Sequence, residues 1–232
     1  MVVLQAVFWI VGLALQFVVL SSLLGGRVRE FLALFLYTIS LFVTTVLDII
    51  FRLDEGRMSR TWSQVFWTGD FIRLAGLYAI VISLIVYAVP SSQQRVSVRR
   101  LLIVLAVLFW AGCFWLQHHD NPDLWMTYAS RNLSFCLALV NLGLWLVLIA
   151  VRAGQERQRN QILLMISGGL GVQMTCDAIA QSLRHLSPHT VLVGNILGVL
   201  GHFACLYIWW QALAKNSVSR PETPSPVASL SR

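Results

Sequence analysis

Long apolar segments alternate with short polar ones along nearly the whole chain. Seven continuous apolar runs can be marked, at 2–24, 31–51, 66–89, 101–117, 128–151, 161–184 and 190–213. Each is long enough to cross the hydrocarbon core of a bilayer, which takes about 20 helical residues. A backbone exposed to lipid must satisfy its hydrogen bonds within its own segment, so such runs indicate α-helices. The pattern predicts an all-α polytopic membrane protein with seven transmembrane helices.

The apolar runs leave no room for a separate soluble domain. Residues 1–215 are predicted to form one seven-helix transmembrane domain. From Asn216 the composition changes to a short segment rich in serine and proline, which is too polar to build a core. Residues 216–232 are therefore predicted to form a disordered cytoplasmic tail.

The basic residues between the runs predict the orientation of the chain. One set of connections, with the tail, holds eleven basic residues: Arg27, Arg29, Arg95, Arg99, Arg100, Arg152, Arg157, Arg159, Lys215, Arg220 and Arg232. The opposite set holds four: Arg52, Arg57, Arg60 and Arg184. Because cytoplasmic loops carry the excess of lysine and arginine, we expect the N-terminus outside and the C-terminus in the cytoplasm. The expected location is the plasma (cytoplasmic) membrane.

Composition supports the membrane assignment and bears on the partners. The chain is 57% hydrophobic and 12% charged, with a formal net charge of +7, whereas soluble domains average about 25% charged residues. The positive charge lies in short clusters between apolar runs and not on one surface, so no nucleic-acid partner is expected. The expected partners are the lipid bilayer and a cytoplasmic or membrane partner protein.

Several residue types predict how the helices pack. The tryptophans near helix ends are expected to be anchors at the membrane interfaces: Trp9, Trp62, Trp67, Trp125, Trp145, Trp209 and Trp210. Glycines in the sixth and seventh helices favour close packing of that pair: Gly168, Gly169, Gly171, Gly194 and Gly198. The fourth helix offers few polar positions, which predicts a peripheral place in the bundle.

Five ionisable side chains lie within the apolar runs: Asp48, Asp70, Arg73, Arg131 and Asp177. Charge in a membrane is costly, so such residues usually face a bundle interior or a watery cavity. On the sixth helix Gln173, Asp177, Gln181 and Arg184 are spaced as one polar stripe. Shorter stripes of the same kind occur on the second, third, fifth and seventh helices. The stripes are predicted to face one another in the outer half of the bundle.

Two interpretations of these polar residues remain open. In the structural one, Asp–Arg pairs hold the outer ends of the helices together. In the functional one, they line a pocket that opens outward and binds a small polar ligand or ion. The candidate ligand-binding residues are Asp70, Arg73, Arg131, Asp177 and Asn195.

Most chemistries that such a membrane domain could host find no support in the sequence. Retinal attachment needs a lysine inside the bundle, and the lysine of this chain is Lys215, at the end of the last helix. The chain contains no HExxH, GxSxG or phosphate-binding glycine motif. Histidines in two outer loops leave a metal site as an option, although their spacing is not diagnostic. The cofactors are unknown, and an enzyme is the less favoured interpretation.

The expected function is that of a non-enzymatic membrane protein with an outward-facing polar pocket, acting as a sensor or as a subunit of a larger membrane assembly. The seven-helix architecture resembles the membrane sensor modules of bacterial signalling proteins, although no sequence motif supports the resemblance. One alternative is a small transporter or channel component, for which polar residues should continue across the membrane. Another is a metal-dependent membrane enzyme at the outer leaflet.

Overall fold

A computed structural model describes residues 2–26, 28–54, 60–89, 92–120, 125–151, 157–186 and 190–214. The described residues form seven α-helices and no strand: α1 (Val2–Leu24), α2 (Leu32–Asp54), α3 (Arg60–Ala88), α4 (Ser92–Asp120), α5 (Trp125–Val151), α6 (Arg157–Leu186) and α7 (Val191–Ala214). Each contains a segment long and apolar enough to cross a membrane. The all-α, seven-helix prediction agrees with this architecture, while the predicted disordered tail lies outside the described residues.

Several helices extend beyond the apolar runs that predicted them. The fourth run covers 101–117, whereas α4 covers Ser92–Asp120 and its first turns include Arg95, Arg99 and Arg100. Arginine is a good helix former, and these turns need not be apolar if they project beyond the hydrocarbon. The apolar run therefore indicates where a helix lies, and the helix itself continues past the run.

Six of the seven described helices form a closed ring, and the remaining one, α4, packs against the outside of it. Around the ring α1 contacts α2 and α7, and α6 contacts α5 and α7. The ring is completed by α3, which contacts α2, α5 and α6, and also α4. Within the described residues α4 contacts α3 and α5 alone, and none of its membrane segment is buried. The predicted peripheral position of the fourth helix is confirmed.

The apolar core fills one half of the bundle, which we call the closed half. Its buried side chains come from the C-terminal halves of α1, α3, α5 and α7 and the N-terminal halves of α2 and α6. They include Leu23, Leu34, Tyr37, Ile80, Leu84, Leu148, Leu163, Ile166, Leu206 and Leu213. The closed half lies at the end of the bundle where α4 and α6 begin, near Arg95 and Arg157. We call the opposite half, at the N-terminal end of α1, the open half.

The predicted close packing of α6 and α7 is present. A Cβ added at Gly201 of α7 would lie 2.3 Å from the Cβ of Cys176 on α6, and one added at Gly169 would lie 3.1 Å from the Trp209 ring. Side chains at these glycines would push the helices apart. On its other side α6 faces α5, where a Cβ at Gly171 would lie 3.6 Å from Asn141.

The expectation that Trp209 anchors the chain at a membrane interface is wrong. This side chain is fully buried in the closed half, and its indole Nε1 donates a hydrogen bond of 3.0 Å to the carbonyl oxygen of Ile166 on α6. Its ring also meets Tyr37 of α2 edge to face, with the centroids 5.8 Å apart. Because α6 supplies an acceptor for the indole, Trp209 can fill the interior and join three helices.

Candidate functional site

The open half of the bundle contains a cavity of about 1910 Å³ that is partly open to its surroundings. Its walls come from α1, α2, α3, α5, α6 and α7, with Phe109 as the contribution of α4. All five candidate residues line it: Asp70, Arg73, Arg131, Asp177 and Asn195. The structure therefore brings together at one cavity the side chains that the sequence singles out from four different helices.

Arg73 and Asp70 form an ion pair within α3. One turn of helix separates them, and Arg73 Nη2 donates to Asp70 Oδ1 at 3.0 Å. The second carboxylate oxygen of Asp70 accepts a hydrogen bond of 2.5 Å from the Ser130 hydroxyl of α5. Asp70 is thus satisfied from two helices, and it fixes both the orientation of Arg73 and the contact between α3 and α5.

The same guanidinium extends across the cavity to α6. Arg73 Nη1 lies 4.0 Å from Asp177 Oδ2, at the outer limit of an ion pair, and the two side chains are 31% and 27% exposed. Asp177 faces the bundle interior within reach of Arg73, as its place in the polar stripe predicts. Arg73 therefore links two helices that otherwise make few contacts.

The other two candidates lie farther toward the opening. Arg131 is exposed, and its guanidinium lies over the Tyr128 ring of its own helix, 5.0 Å from the centroid. Asn195 lines the cavity from α7 and is also exposed. Both side chains are therefore accessible from the cavity.

The polar stripes face the cavity as far as the structure describes them. On α6, Asp177 and Gln181 line the wall, and Gln173 is buried one turn deeper. On α2, Thr44 and Asp48 line it as well. The side chains of Arg52 and Arg184, which the same stripes include, lie outside the described residues.

Several buried polar atoms in the cavity wall or one helical turn below it have no hydrogen-bond partner among the described residues. They are the Tyr37 hydroxyl, Arg73 Nε, both amide atoms of Gln173 and His202 Nδ1. These side chains come from α2, α3, α6 and α7. A buried polar atom without a partner costs about 1–3 kcal/mol, so Arg73 and His202, which line the cavity, favour a polar guest or water beside them.

Two contributors to the site were not found from the sequence. Ser130 bonds to Asp70, but a serine within a helix usually bonds to its own backbone and gives no signal of such a role. Tyr37 lies in an apolar run, where an aromatic residue is most simply interpreted as core. The detectable signal was its hydroxyl, which needs a partner when it is buried.

The wall formed by α1 and α7 carries an aromatic patch but no Asp, Glu, Lys or Arg among its lining residues. Phe8 of α1 meets Phe203 of α7 edge to face, with the ring centroids 6.1 Å apart. A Cβ added at Gly12 would lie 3.3 Å from the Phe203 ring, so the two helices approach closely here. Deeper in the cavity Gln16 Nε2 donates to the Thr45 hydroxyl of α2 at 3.3 Å. The Phe8–Phe203 patch thus lies on helices that contribute no charged side chain to the cavity lining.

No group of three or more metal-binding side chains is found among the described residues. The histidines that left this option open are only partly described. His118 packs edge to face against Trp125, with the ring centroids 5.6 Å apart, while the side chains of His185 and His189 lie outside the described part of the chain.

Comparisons with known proteins give no family. The chain matches no family model, no curated protein and no solved structure.

Proposed function

We propose that this chain binds a ligand in the cavity of the open half and acts as a membrane sensor or as a ligand-binding subunit of a larger membrane assembly. The observation that carries the proposal is the placement of Asp70, Arg73, Arg131, Asp177 and Asn195 around one cavity. A purely structural clasp would need only side chains that pair with one another. Here polar side chains from six helices surround a space large enough for a ligand.

The balance of charge and hydrogen bonds supports binding over a simple clasp. Asp70 and Asp177 both approach Arg73, and Arg131 faces the cavity separately. Below them lie the unpartnered atoms of Tyr37 and Gln173. Polar groups in such a site are stabilised when a bound molecule or water supplies the missing partners.

Transport is the weaker alternative because the closed half interrupts the polar path. Asn141 is a deep polar residue in that half, and it is already paired with Ser167. Its Nδ2 donates to the Ser167 carbonyl at 3.0 Å, and its Oδ1 accepts from the Ser167 hydroxyl at 2.9 Å. Both residues are buried among apolar neighbours. A cavity with a closed floor supports binding more directly than passage.

The charge distribution supports one orientation of the chain. The basic excess at the closed end favours the outer side of the plasma membrane for the open half. A sensor of this form would receive its ligand from outside or from the outer leaflet. It would pass the signal to a partner that contacts its basic cytoplasmic side.

Cysteine accessibility tests whether the cavity is open. In a background with the four native cysteines replaced by alanine, Asn195→Cys and Gln181→Cys should react with a charged methanethiosulfonate in intact cells. Ala212→Cys is the matched control, because Ala212 is fully buried in the closed half. If the two cavity positions are as unreactive as position 212, the cavity is closed to the outside and the polar cluster is a structural clasp.

A further inference from the structure

We infer that the ligand of this cavity is an amphiphile with a zwitterionic headgroup and an apolar chain, which enters from the lipid phase between α5 and α6. The inference rests on the proposed function and names the ligand class for the same cavity. Four features of the structure lead to it: the size of the cavity, its charged cluster and aromatic patch, its opening along α5, and the presence of both positive and negative side chains.

The cavity is too large for a small polar metabolite. Pockets for drug-sized ligands measure about 300–1,000 Å³, and this one measures about 1910 Å³. A small ion or an amino acid would leave most of the space to water. A ligand with a headgroup and a hydrocarbon chain would fill much more of it.

The charged cluster and the aromatic patch of the lining match the two parts of such a molecule. Asp70, Arg73 and Asp177 lie on α3 and α6, while Phe8 and Phe203 form an aromatic patch where α1 meets α7. A wholly polar ligand would leave this aromatic surface in water, at about 25 cal/mol per Å² of apolar area. A wholly apolar ligand would leave the charged wall without polar partners.

The cavity also extends to the side of the bundle. Phe135 and Leu139 of α5 and Ile179 of α6 line it, and their exposed fractions are 59%, 59% and 47%. All three lie within segments apolar enough to cross a membrane. Exposed apolar residues at that depth meet acyl chains, so a cavity that they line opens toward lipid.

The contacts between α5 and α6 explain why the opening is in this place. In the closed half the two helices are held by Asn141 and Ser167, and a Cβ added at Gly168 would lie 3.5 Å from the Trp145 indole. In the open half their facing residues line the cavity. Helices α5 and α6 therefore pack together in the closed half and are separated by the cavity in the open half.

Both signs of charge surround the headgroup position. The carboxylates of Asp70 and Asp177 favour a cation, whereas the guanidinium of Arg131, nearer the opening, favours an anion. Arg73 Nε, a buried donor beside them, has no hydrogen-bond partner among the described residues. An ion of a single sign would be repelled by one group or the other, and a zwitterion is attracted by both.

Equilibrium binding of a labelled lipid tests this inference. Purified full-length protein in maltoside detergent is incubated with radiolabelled lysophosphatidylcholine, which has one chain and a zwitterionic headgroup. We expect saturable binding that unlabelled lysophosphatidylcholine displaces. Lysophosphatidylglycerol, with the same chain and an anionic headgroup, should compete at least about tenfold more weakly. Glycerophosphocholine, the headgroup without a chain, should not compete at millimolar concentration.

Two variants on one face of α5 test the entry route. Leu139→Trp adds bulk at the cavity opening and should weaken binding about tenfold. Leu146→Trp is the matched control. Leu146 is 55% exposed, lies about two turns closer to the closed end on the same face, and does not line the cavity. It should leave binding unchanged.

Each contrary result overturns a defined part of the inference. Equal competition by glycerophosphocholine would show that the ligand is water-soluble, and equal competition by lysophosphatidylglycerol would refute the zwitterionic headgroup. The same effect of both tryptophan variants would refute entry along α5. Absence of saturable binding would refute the amphiphile altogether. The proposed function is decided separately, by the reactivity of cysteines at positions 181 and 195.

Discussion

Arg73 of α3 and Asp177 of α6 face each other across the cavity, with Arg73 Nη1 4.0 Å from Asp177 Oδ2. The contact is long for an ion pair, and Arg73 makes a shorter one of 3.0 Å with Asp70 on its own helix. Because α3 and α6 otherwise make few contacts, this pair is a main connection between the two walls.

Replacing Asp177 by leucine should destabilise the protein, because it removes one of the two carboxylates that face the Arg73 guanidinium. The loss should be about 1–2 kcal/mol, below the roughly 3–5 kcal/mol of a fully buried pair, because both side chains are more than a quarter exposed. Thermal unfolding in detergent measures the difference. Thr175→Leu, at an exposed position of the same helix, should not change the midpoint. Wild-type stability of the Asp177→Leu variant would show that the contact contributes nothing.

Gly201→Ala should separate α6 from α7. The new Cβ would lie 2.3 Å from Cys176 Cβ, and overpacking of this kind typically costs about 1–3 kcal/mol. Gly143→Ala on α5 is the control, since a Cβ there would meet nothing within 4 Å. Adding Cys176→Gly removes the opposing atom and should restore part of the loss. A fully stable Gly201→Ala protein would contradict the close approach of the two helices.

The Asn141–Ser167 pair should contribute to stability as a unit. Interhelical hydrogen bonds in membranes average about 0.6 kcal/mol, and this pair makes two of them. Asn141→Leu and Ser167→Ala should each lower the unfolding midpoint, and the double variant should lose less than the sum. The four proteins form a double-mutant cycle measured by thermal unfolding in one detergent. Strict additivity would mean that the two side chains do not interact.

The orientation can be tested with the two ends of α4. Gln93 and His119 end its membrane segment and are both exposed. In a background without native cysteines, His119→Cys should react with an impermeant maleimide on intact cells, because the basic residues near position 93 predict a cytoplasmic location for that end. Gln93→Cys should react only after permeabilisation. The reverse pattern would invert the topology and place the cavity on the cytoplasmic side.

The helices could be predicted from the sequence because a membrane segment must be apolar over its whole length. That requirement locates α3 and α5 without any knowledge of their neighbours. It does not locate their ends: α6 begins at Arg157, while its apolar run begins near Gln161. Where the helix projects past the hydrocarbon, propensity and local contacts replace apolarity as the determining factor.

Individual side chains were predicted less well when their role depends on a partner from another helix. Asp177 was placed correctly because a charge in lipid is costly wherever it occurs. Trp209 was not, because its burial requires the Ile166 carbonyl of α6. Tyr37 and Ser130 depend in the same way on neighbours from other helices. A single sequence does not show which residues become neighbours.

The close approach of Gly201 and Cys176 also has a mechanical consequence. Two helices in contact at backbone level cannot slide or tilt independently without atoms overlapping. We therefore expect α6 and α7 to behave as one rigid unit. In the open half α6 approaches α3 through the Arg73–Asp177 contact. A ligand that displaces α6 at this contact would therefore displace α7 with it.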